Sequence, residues 1–212
     1  MKKILLGIII SLSFILVGCV KPVAAKDAAL ELVDSLIYDQ DVEKLNEIFI
    51  LDGSVVDIEP MSDYVSDLKE SFELGDEYDQ QLAQLGDKVT SNLKEKTSFK
   101  VNVLEETTTR ARIELTVIGL EELSEKQLSE SLEIELQKKM TELTADSNEE
   151  QINQLVNDVS FEAVTRLINN QQAKTDAITV NLDLMVDLDK KDKWVIQNSD
   201  TFLDELIAAY SY

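Results

Sequence analysis

The side chains that most often carry catalysis are scarce in this sequence. Its 212 residues include no histidine and a single cysteine, Cys19. Without histidine, the chain has no Ser-His-Asp triad, no His-ligated metal site and no imidazole base near neutral pH. Its 6 glycines form no Gly-rich phosphate-binding loop. We therefore assign no catalytic, cofactor-binding or metal-binding residue and expect a protein that is not an enzyme and needs no cofactor.

Aspartates form the best local cluster of candidate metal ligands, at Asp183, Asp187, Asp189 and Asp192. Carboxylates bind calcium, but this segment lacks the glycine and the closing glutamate of an EF-hand loop. Three lysines in the same stretch offset its negative charge. We therefore interpret the aspartates as part of a solvated hairpin turn.

Carboxylates alone can still support one class of reaction. Glycosidases need only two acidic side chains, and the chain holds 42 Asp+Glu residues. So many acids single out no particular pair. A carboxylate-based hydrolase therefore stays open as the least favoured alternative.

The cysteine follows an apolar N-terminal segment. Two lysines precede an apolar stretch, residues 4–17, which is short for a membrane span of about 20 residues. The stretch ends in Leu16-Val17-Gly18-Cys19, which resembles the lipobox of bacterial prolipoproteins. The resemblance implies a diacylglyceryl group on the Cys19 thiol and cleavage after residue 18. The thiol would then be unavailable for catalysis or for binding zinc.

This resemblance sets the expected domain organisation and location. Residues 1–18 are a signal peptide, residues 19–26 are the lipidated cysteine and a short tether, and residues 27–212 are a single extracytoplasmic domain. Two acyl chains hold a protein on a membrane durably, whereas one binds reversibly. We therefore expect covalent attachment to membrane lipid at the outer face of the cell membrane.

The charge of the mature chain limits the classes of molecule that it is expected to bind. Residues 1–18 contain two lysines and no acid, so the mature chain carries 18 Lys+Arg and 42 Asp+Glu, a formal charge of −24. This charge argues against nucleic acid as a ligand and against a protein surface that binds anionic lipid heads. An extended tether of residues 20–26 spans at most about 25 Å. We expect the domain to stand off an anionic membrane by roughly that length, as a monomer without disulfides.

Hydrophobic periodicity predicts an α+β domain. Helical spacing runs from Asp27 and recurs at about 62–95, 124–144 and 147–172, with a last helix from Asp200. Capping boxes beginning at Ser124 and Ser147 are predicted to open two of these helices. Period-two alternation predicts two hairpins, with strands near 99–103, 111–117, 178–188 and 193–197 and turns at 105–108 and 189–192. Trp194, the only tryptophan, is interpreted as a core residue of the last strand. Helices are expected to cover one face of the antiparallel sheet.

Three features of this order resemble a known family. They are a helix pair within residues 30–45, a strand around 110–115, and the turn-to-strand sequence Lys191-Asp192-Lys193-Trp194-Val195-Ile196. Together they resemble small lipoproteins of Gram-positive bacteria that carry a nuclear-transport-factor-2-like (NTF2-like, cystatin-like) domain of unknown function. The resemblance covers residues 26–212. It implies N-terminal helices packed on a curved antiparallel sheet of two hairpins, a half-barrel, with additional helices inserted between the hairpins.

Function is less constrained than location, because such folds host enzymes, ligand pockets and adaptors. The leading hypothesis is a non-enzymatic binding or accessory module of the cell envelope, with room for a membrane-proximal protein partner. One alternative is the precursor of a pheromone cut from the signal peptide, at residues 11–18. The other is the carboxylate-based hydrolase.

Replacing Cys19 by serine tests the lipobox directly. The Cys19→Ser protein should incorporate no radiolabelled lipid precursor, and it should keep its 18-residue signal because cleavage follows lipidation. Labelling in growing cells and intact mass would be measured together. Lipid incorporation by the serine variant, or none by the parent, would contradict the assignment.

Overall fold

The computed structural model describes residues 21–38, 42–51, 62–143 and 147–210. The lipobox, Leu16 to Cys19, lies outside the described residues. The helices are α1 Ala25–Tyr38, α2 Val42–Ile48, α3 Ser62–Ser71, α4 Asp79–Lys96, α5 Glu125–Lys139, α6 Glu149–Asn170 and α7 Ser199–Tyr210. The strands are β1 Ser98–Glu106, β2 Arg110–Ile118, β3 Ile178–Val186 and β4 Trp194–Ile196. Short 3-10 turns, Asp76–Tyr78 and Met140–Glu142, precede α4 and follow α5.

The four strands form an antiparallel sheet in the order β1-β2-β3-β4 that does not close on itself. The predicted α+β class and the two hairpins are therefore confirmed, with α5 and α6 inserted between β2 and β3. The first turn occupies residues 107–109 and not 105–108, because a bulge between Val103 and Glu105 shifts the register and β1 continues to Glu106.

One face of the sheet is buried, as the alternation predicts. Apart from Ile178 at the start of β3, which is 37% exposed, the inward side chains of β2 and β3 are at most 8% exposed: Ala111, Ile113, Leu115, Val117, Val180, Leu182, Leu184 and Val186. Buried residues of α1, α2 and α7 pack in the same cluster. The opposite face carries polar side chains, among them the exposed pair Arg112–Asp183, with Nε and Oδ1 3.7 Å apart. Each strand therefore has one solvated side and one side covered by helices.

A second layer of packing joins the helices outside the sheet. Leu85 and Val89 of α4 pack with Val164 and Ile168 of α6. One turn further along α4, Leu93 belongs to the sheet cluster. Helix α4 therefore contributes side chains to both of these clusters and connects them.

Capping explains where the inserted helices begin. At α5, the Ser124 side chain accepts from the Gln127 backbone N–H and the Gln127 side chain accepts from the Ser124 N–H, the predicted capping box. At α6 the predicted box on Ser147 is wrong by one residue. Asn148 is the N-cap and Gln151 is its partner, because an asparagine oxygen caps as well as serine.

Trp194 lies in the core, as the sequence predicts, and is 1% exposed. Its indole N–H donates to the Val23 carbonyl at 2.8 Å. Phe49 forms a parallel bridge with it, and the Ile50 N–H donates to its backbone carbonyl at 2.8 Å. This tryptophan therefore fastens the start of the domain and the end of α2 to the last strand.

Removing the indole should destabilise the domain strongly. Trp194→Ala is expected to cost about 3–5 kcal/mol of unfolding free energy, the usual range for a buried tryptophan. Urea unfolding followed by circular dichroism measures the loss. Val195→Ala, on the half-buried opposite side of the same strand, is the matched control and should cost less. Native emission typical of water-exposed tryptophan would contradict this burial.

Candidate functional site

The aspartate cluster does not come together as a ligand set. Oδ1 of Asp187 accepts from the backbone N–H groups of Asp189 and Lys190, at 2.9 and 2.6 Å, and so holds the β3–β4 turn. Asp183 pairs with Arg112 on the outer sheet face. Within the described residues, no group of three or more acidic, histidine or cysteine side chains is arranged to hold a metal ion.

The most extensive set of interacting charges lies between α5 and α6. The two helices pack side by side as a helical pair, which the Ser131 hydroxyl joins by donating to the Ala163 carbonyl at 3.0 Å. Four residues further along α5, Glu135 is 4% exposed. Lys138 Nζ donates to both of its carboxylate oxygens, at 2.8 and 2.7 Å, and Arg166 Nη1 donates to Oε1 at 3.1 Å.

These cations set the ionisation of the buried acid. The pKa of Glu135 is lowered, mainly by the hydrogen bond from Lys138 and then by that from Arg166, which together outweigh the cost of burial. Glu135 is therefore a fixed carboxylate at neutral pH. A general acid requires the opposite shift, so this residue is better suited to binding than to proton transfer.

A second set of charged residues connects the helical pair to the 3-10 turn that precedes α4. Lys139 Nζ lies 3.1 Å from Glu162 Oε1 and 3.8 Å from Asp158 Oδ2. The Tyr78 hydroxyl donates to Asp158 Oδ1 at 2.5 Å. The pKa of Tyr78 is raised by burial first and then by this bond to a carboxylate, so the phenol stays a protonated donor. Helices α5 and α6 are thus connected largely by polar groups.

An open groove of about 390 Å³ runs along this interface. Its lining combines charged side chains with one aromatic ring, one threonine and two amides: Glu135, Lys138, Glu162, Arg166, Phe161, Thr165, Asn169 and Asn170. The Thr165 hydroxyl oxygen is buried and has no hydrogen-bond partner among the described residues. The groove therefore presents charged and amide groups to a polar ligand.

The helical pair also carries exposed apolar side chains. Ile152 and Val156 of α6 are 43% and 53% exposed. Three residues of α5 and of the 3-10 turn that follows it are also exposed: Ile134, Leu136 and Met140. Apolar residues next to polar groups are typical of surfaces that contact other proteins.

The helical pair is attached at one end of the sheet, and the N-terminal chain is attached at the other. The Glu121 N–H donates to the Gln172 carbonyl and the Lys174 N–H to the Gly119 carbonyl, both at 2.8 Å, just beyond the end of β2. At the opposite end of that strand, the Ala25 N–H donates to Glu106 Oε1 at 3.3 Å. The groove therefore belongs to the part of the domain that is connected at the end of the sheet opposite Ala25.

Asp34 is the carboxyl group nearest to the requirements of acid chemistry. Its pKa is raised by burial first and then by neighbouring Glu31, while Lys44 lowers it. Glu31 is itself paired to Lys44, with Oε2 2.5 Å from Nζ. Two carboxyl groups that act together in a glycosidase flank the bond that is cleaved, whereas Asp34 and Glu31 lie side by side on one face of α1.

The sequence missed Glu135, Thr165 and Arg166 because nothing local marks them. Glu135 and Arg166 are 31 residues apart, on two helices rich in charged residues. One indirect signal of these ion pairs is present in the sequence, because α5 has no continuous apolar face. A helix that is polar on most faces needs ion pairs to stay packed.

Comparisons with known proteins place the chain by family and fold. The family described as "Domain of unknown function (DUF5105)" matches residues 20–211. The crystal structure of "a putative lipoprotein (ycdA) from Bacillus subtilis" superposes with a TM-score of 0.56 at 17% identity. The match covers 89% of this chain but only 56% of that protein, so this chain spans little more than half its length. No curated protein matches the sequence.

Breaking the Glu135 pair should be costly at neutral pH and less so in acid. Arg166→Met is expected to lower the unfolding free energy by about 1–3 kcal/mol, since a buried charged acceptor loses one donor. Glu135 has a lowered folded-state pKa, so its stabilisation exists above its ordinary pKa and is lost as pH falls through the folded value. The difference between variant and parent should therefore shrink in acid.

Urea unfolding between pH 7 and pH 3 measures both effects. The matched control is Arg112→Met, which removes an exposed pair on the sheet and should cost at most about 1 kcal/mol. Equal losses for the two arginine variants at pH 7 would show that Glu135 does not depend on Arg166.

Proposed function

Because the chain belongs to the DUF5105 family, whose description assigns no activity, we propose a function from the site itself. The protein is a lipoprotein, anchored through Cys19 to the outer face of the cell membrane. It acts as a non-enzymatic binding or accessory module of the envelope. The ligand surface is the groove between α5 and α6, and its partner is a membrane-proximal protein.

One observation carries the proposal. The Val23 carbonyl accepts the Trp194 indole N–H, so the chain is bonded into the domain core four residues after Cys19. A lipid on that cysteine would hold the whole domain against the membrane. Within the described residues, none of the helices is long and apolar enough to cross a membrane. The structural neighbour's description as a lipoprotein supports the same anchoring.

The groove supports a binding role over catalysis. Its buried acid, Glu135, is held as a carboxylate by Lys138 and Arg166. Exposed apolar residues are also present on the helical pair, such as Met140 directly after α5, which is 60% exposed. Fixed ion pairs together with exposed apolar residues on the same two helices favour a protein ligand.

We also propose that the fold is of the NTF2-like, cystatin-like type. Helix α1 packs against the buried face of an open antiparallel sheet, which supports the NTF2-like, cystatin-like half-barrel. A Gram-positive source is proposed with it, on the same resemblance and on the Bacillus neighbour.

Photo-crosslinking in living cells tests the anchored binding module. A crosslinking amino acid at Thr165, in the groove, should form a protein adduct several-fold more often than one at Gln80, an exposed position on α4. The Thr165 adduct should fall several-fold in a Cys19→Ser protein that is exported by a signal peptide without a lipobox. Equal adducts from the released protein would show that membrane attachment is incidental, and equal adducts from Gln80 would exclude the groove.

A further inference from the structure

The β3–β4 turn presents an apolar side chain that the strand pattern would have buried. Period-two alternation through Val186 puts Leu188 on the core side, but β3 ends at Val186. Leu188 is 82% exposed, more than any other large apolar residue described. The turn is held by internal bonds to Asp187 and by the bond from the Asp187 N–H to the Lys193 carbonyl, at 3.0 Å. Leu188 therefore projects from an ordered turn.

This turn lies at the end of the sheet where the chain from Cys19 arrives. Val186 pairs with Trp194 immediately before the turn, and the Trp194 indole reaches the Val23 carbonyl. The Val186 N–H donates to the Thr109 carbonyl at 2.8 Å, so the β1–β2 turn is adjacent. We call residues 21–26, 105–110 and 187–193 together the anchor end.

Chain length ties the anchor end to the bilayer. Val23 lies four positions after Cys19, and a chain of that length spans at most about 14 Å when extended. The expected tether of residues 20–26 is shorter in the structure, because Val23 is bonded to Trp194 and α1 begins at Ala25. A lipid on Cys19 therefore holds the anchor end within about 14 Å of the membrane surface.

Charge is distributed unevenly over the domain. The anchor end holds six basic and five acidic residues, whereas the mature chain as a whole has 18 and 42. Lys190 and Lys191 are exposed, and neither has an ion-pair partner among the described residues. The net charge predicts repulsion from anionic lipid. That repulsion is weaker at the anchor end, where the ammonium groups of Lys190 and Lys191 follow Leu188 in the turn.

We infer that the β3–β4 turn docks on the anionic bilayer that holds the Cys19 lipid, with Leu188 entering the headgroup region and Lys190 and Lys191 on lipid phosphates. This inference rests on the proposed lipid anchoring. An exposed leucine next to lysines suits an interface that is apolar below and negatively charged above. Docking orients the domain, so that the end of the sheet that carries α5 and α6 faces away from the membrane.

Fluorescence quenching by lipid-bound nitroxides tests the contact on the full lipidated protein. An environment-sensitive probe is attached at Asp192→Cys in the turn, or at Thr175→Cys beyond the far end of β3. Strand β3 separates the two positions by about 26 Å. In vesicles of phosphatidylglycerol and phosphatidylcholine recovered by flotation, the probe at position 192 should be quenched several-fold more than the probe at position 175.

Substitutions separate insertion from simple proximity. Leu188→Asp should lower quenching at position 192 to the level at position 175, while Val156→Asp, an exposed apolar residue of α6, should leave it unchanged. Lys190→Glu with Lys191→Glu, or vesicles of phosphatidylcholine alone, should reduce it by at least half.

The outcomes distinguish the two proposals. Equal quenching at both positions in protein that floats with the vesicles would overturn the docking while leaving the anchor in place. Quenching at position 192 that does not respond to Leu188→Asp would also overturn it. A protein that fails to float has no lipid anchor, which overturns the anchoring and the docking that rests on it.

Discussion

The Trp194 indole joins three parts of the chain that are far apart in sequence. Its N–H bonds to Val23, its backbone carbonyl accepts from Ile50, and its strand pairs with Val186. Strand β4 has only three residues, too few to be held by its ladder alone. Burial of one large aromatic side chain supplies what the short ladder lacks, and it places the start of the domain at a defined end of the sheet.

The sheet and the helices outside it are packed by hydrophobic clusters of different character. The sheet core is aliphatic and aromatic, and Tyr38 and Tyr210 meet within it edge to face, with ring centroids 6.0 Å apart. The helical core is smaller, and its junction to α4 includes a buried bond from Asn92 Nδ2 to the Ile168 carbonyl at 2.6 Å. Regions with fewer apolar contacts open more readily, so the groove lies on the less tightly packed part of the domain.

If Cys19 carries a lipid as proposed, this arrangement gives an acidic protein a defined orientation at the membrane. The end connected to Cys19 is nearly balanced in charge, while the excess of acid lies elsewhere and keeps the remaining surface away from an anionic leaflet. The groove between α5 and α6 is connected at the far end of the sheet. A rigid attachment at one end and a mixed polar and apolar surface towards the other are what a membrane-held adaptor requires.

Much of the fold follows from local sequence. The alternation in β2 and β3, the cap at Ser124 and the position of Trp194 were all predictable, because a strand pleat, a helix start and a buried aromatic depend on residues near in the chain. The lipobox is local in the same way, although it lies outside the described residues. Even so, the sequence placed a cap at Ser147 instead of Asn148 and the first turn before residue 107, since bulges and neighbouring cap residues compete within a residue or two.

Only the tertiary structure decided which faces are covered. Ile152, Val156 and Leu188 continue apolar patterns, yet they are exposed because no other described element packs over them. Glu135 belongs to a helix full of acids and is buried because Arg166 and Lys138 converge on it. Periodicity shows which residues share a face of a helix or strand. Whether that face meets another element, water or a membrane depends on residues distant in sequence, whose approach no local pattern encodes.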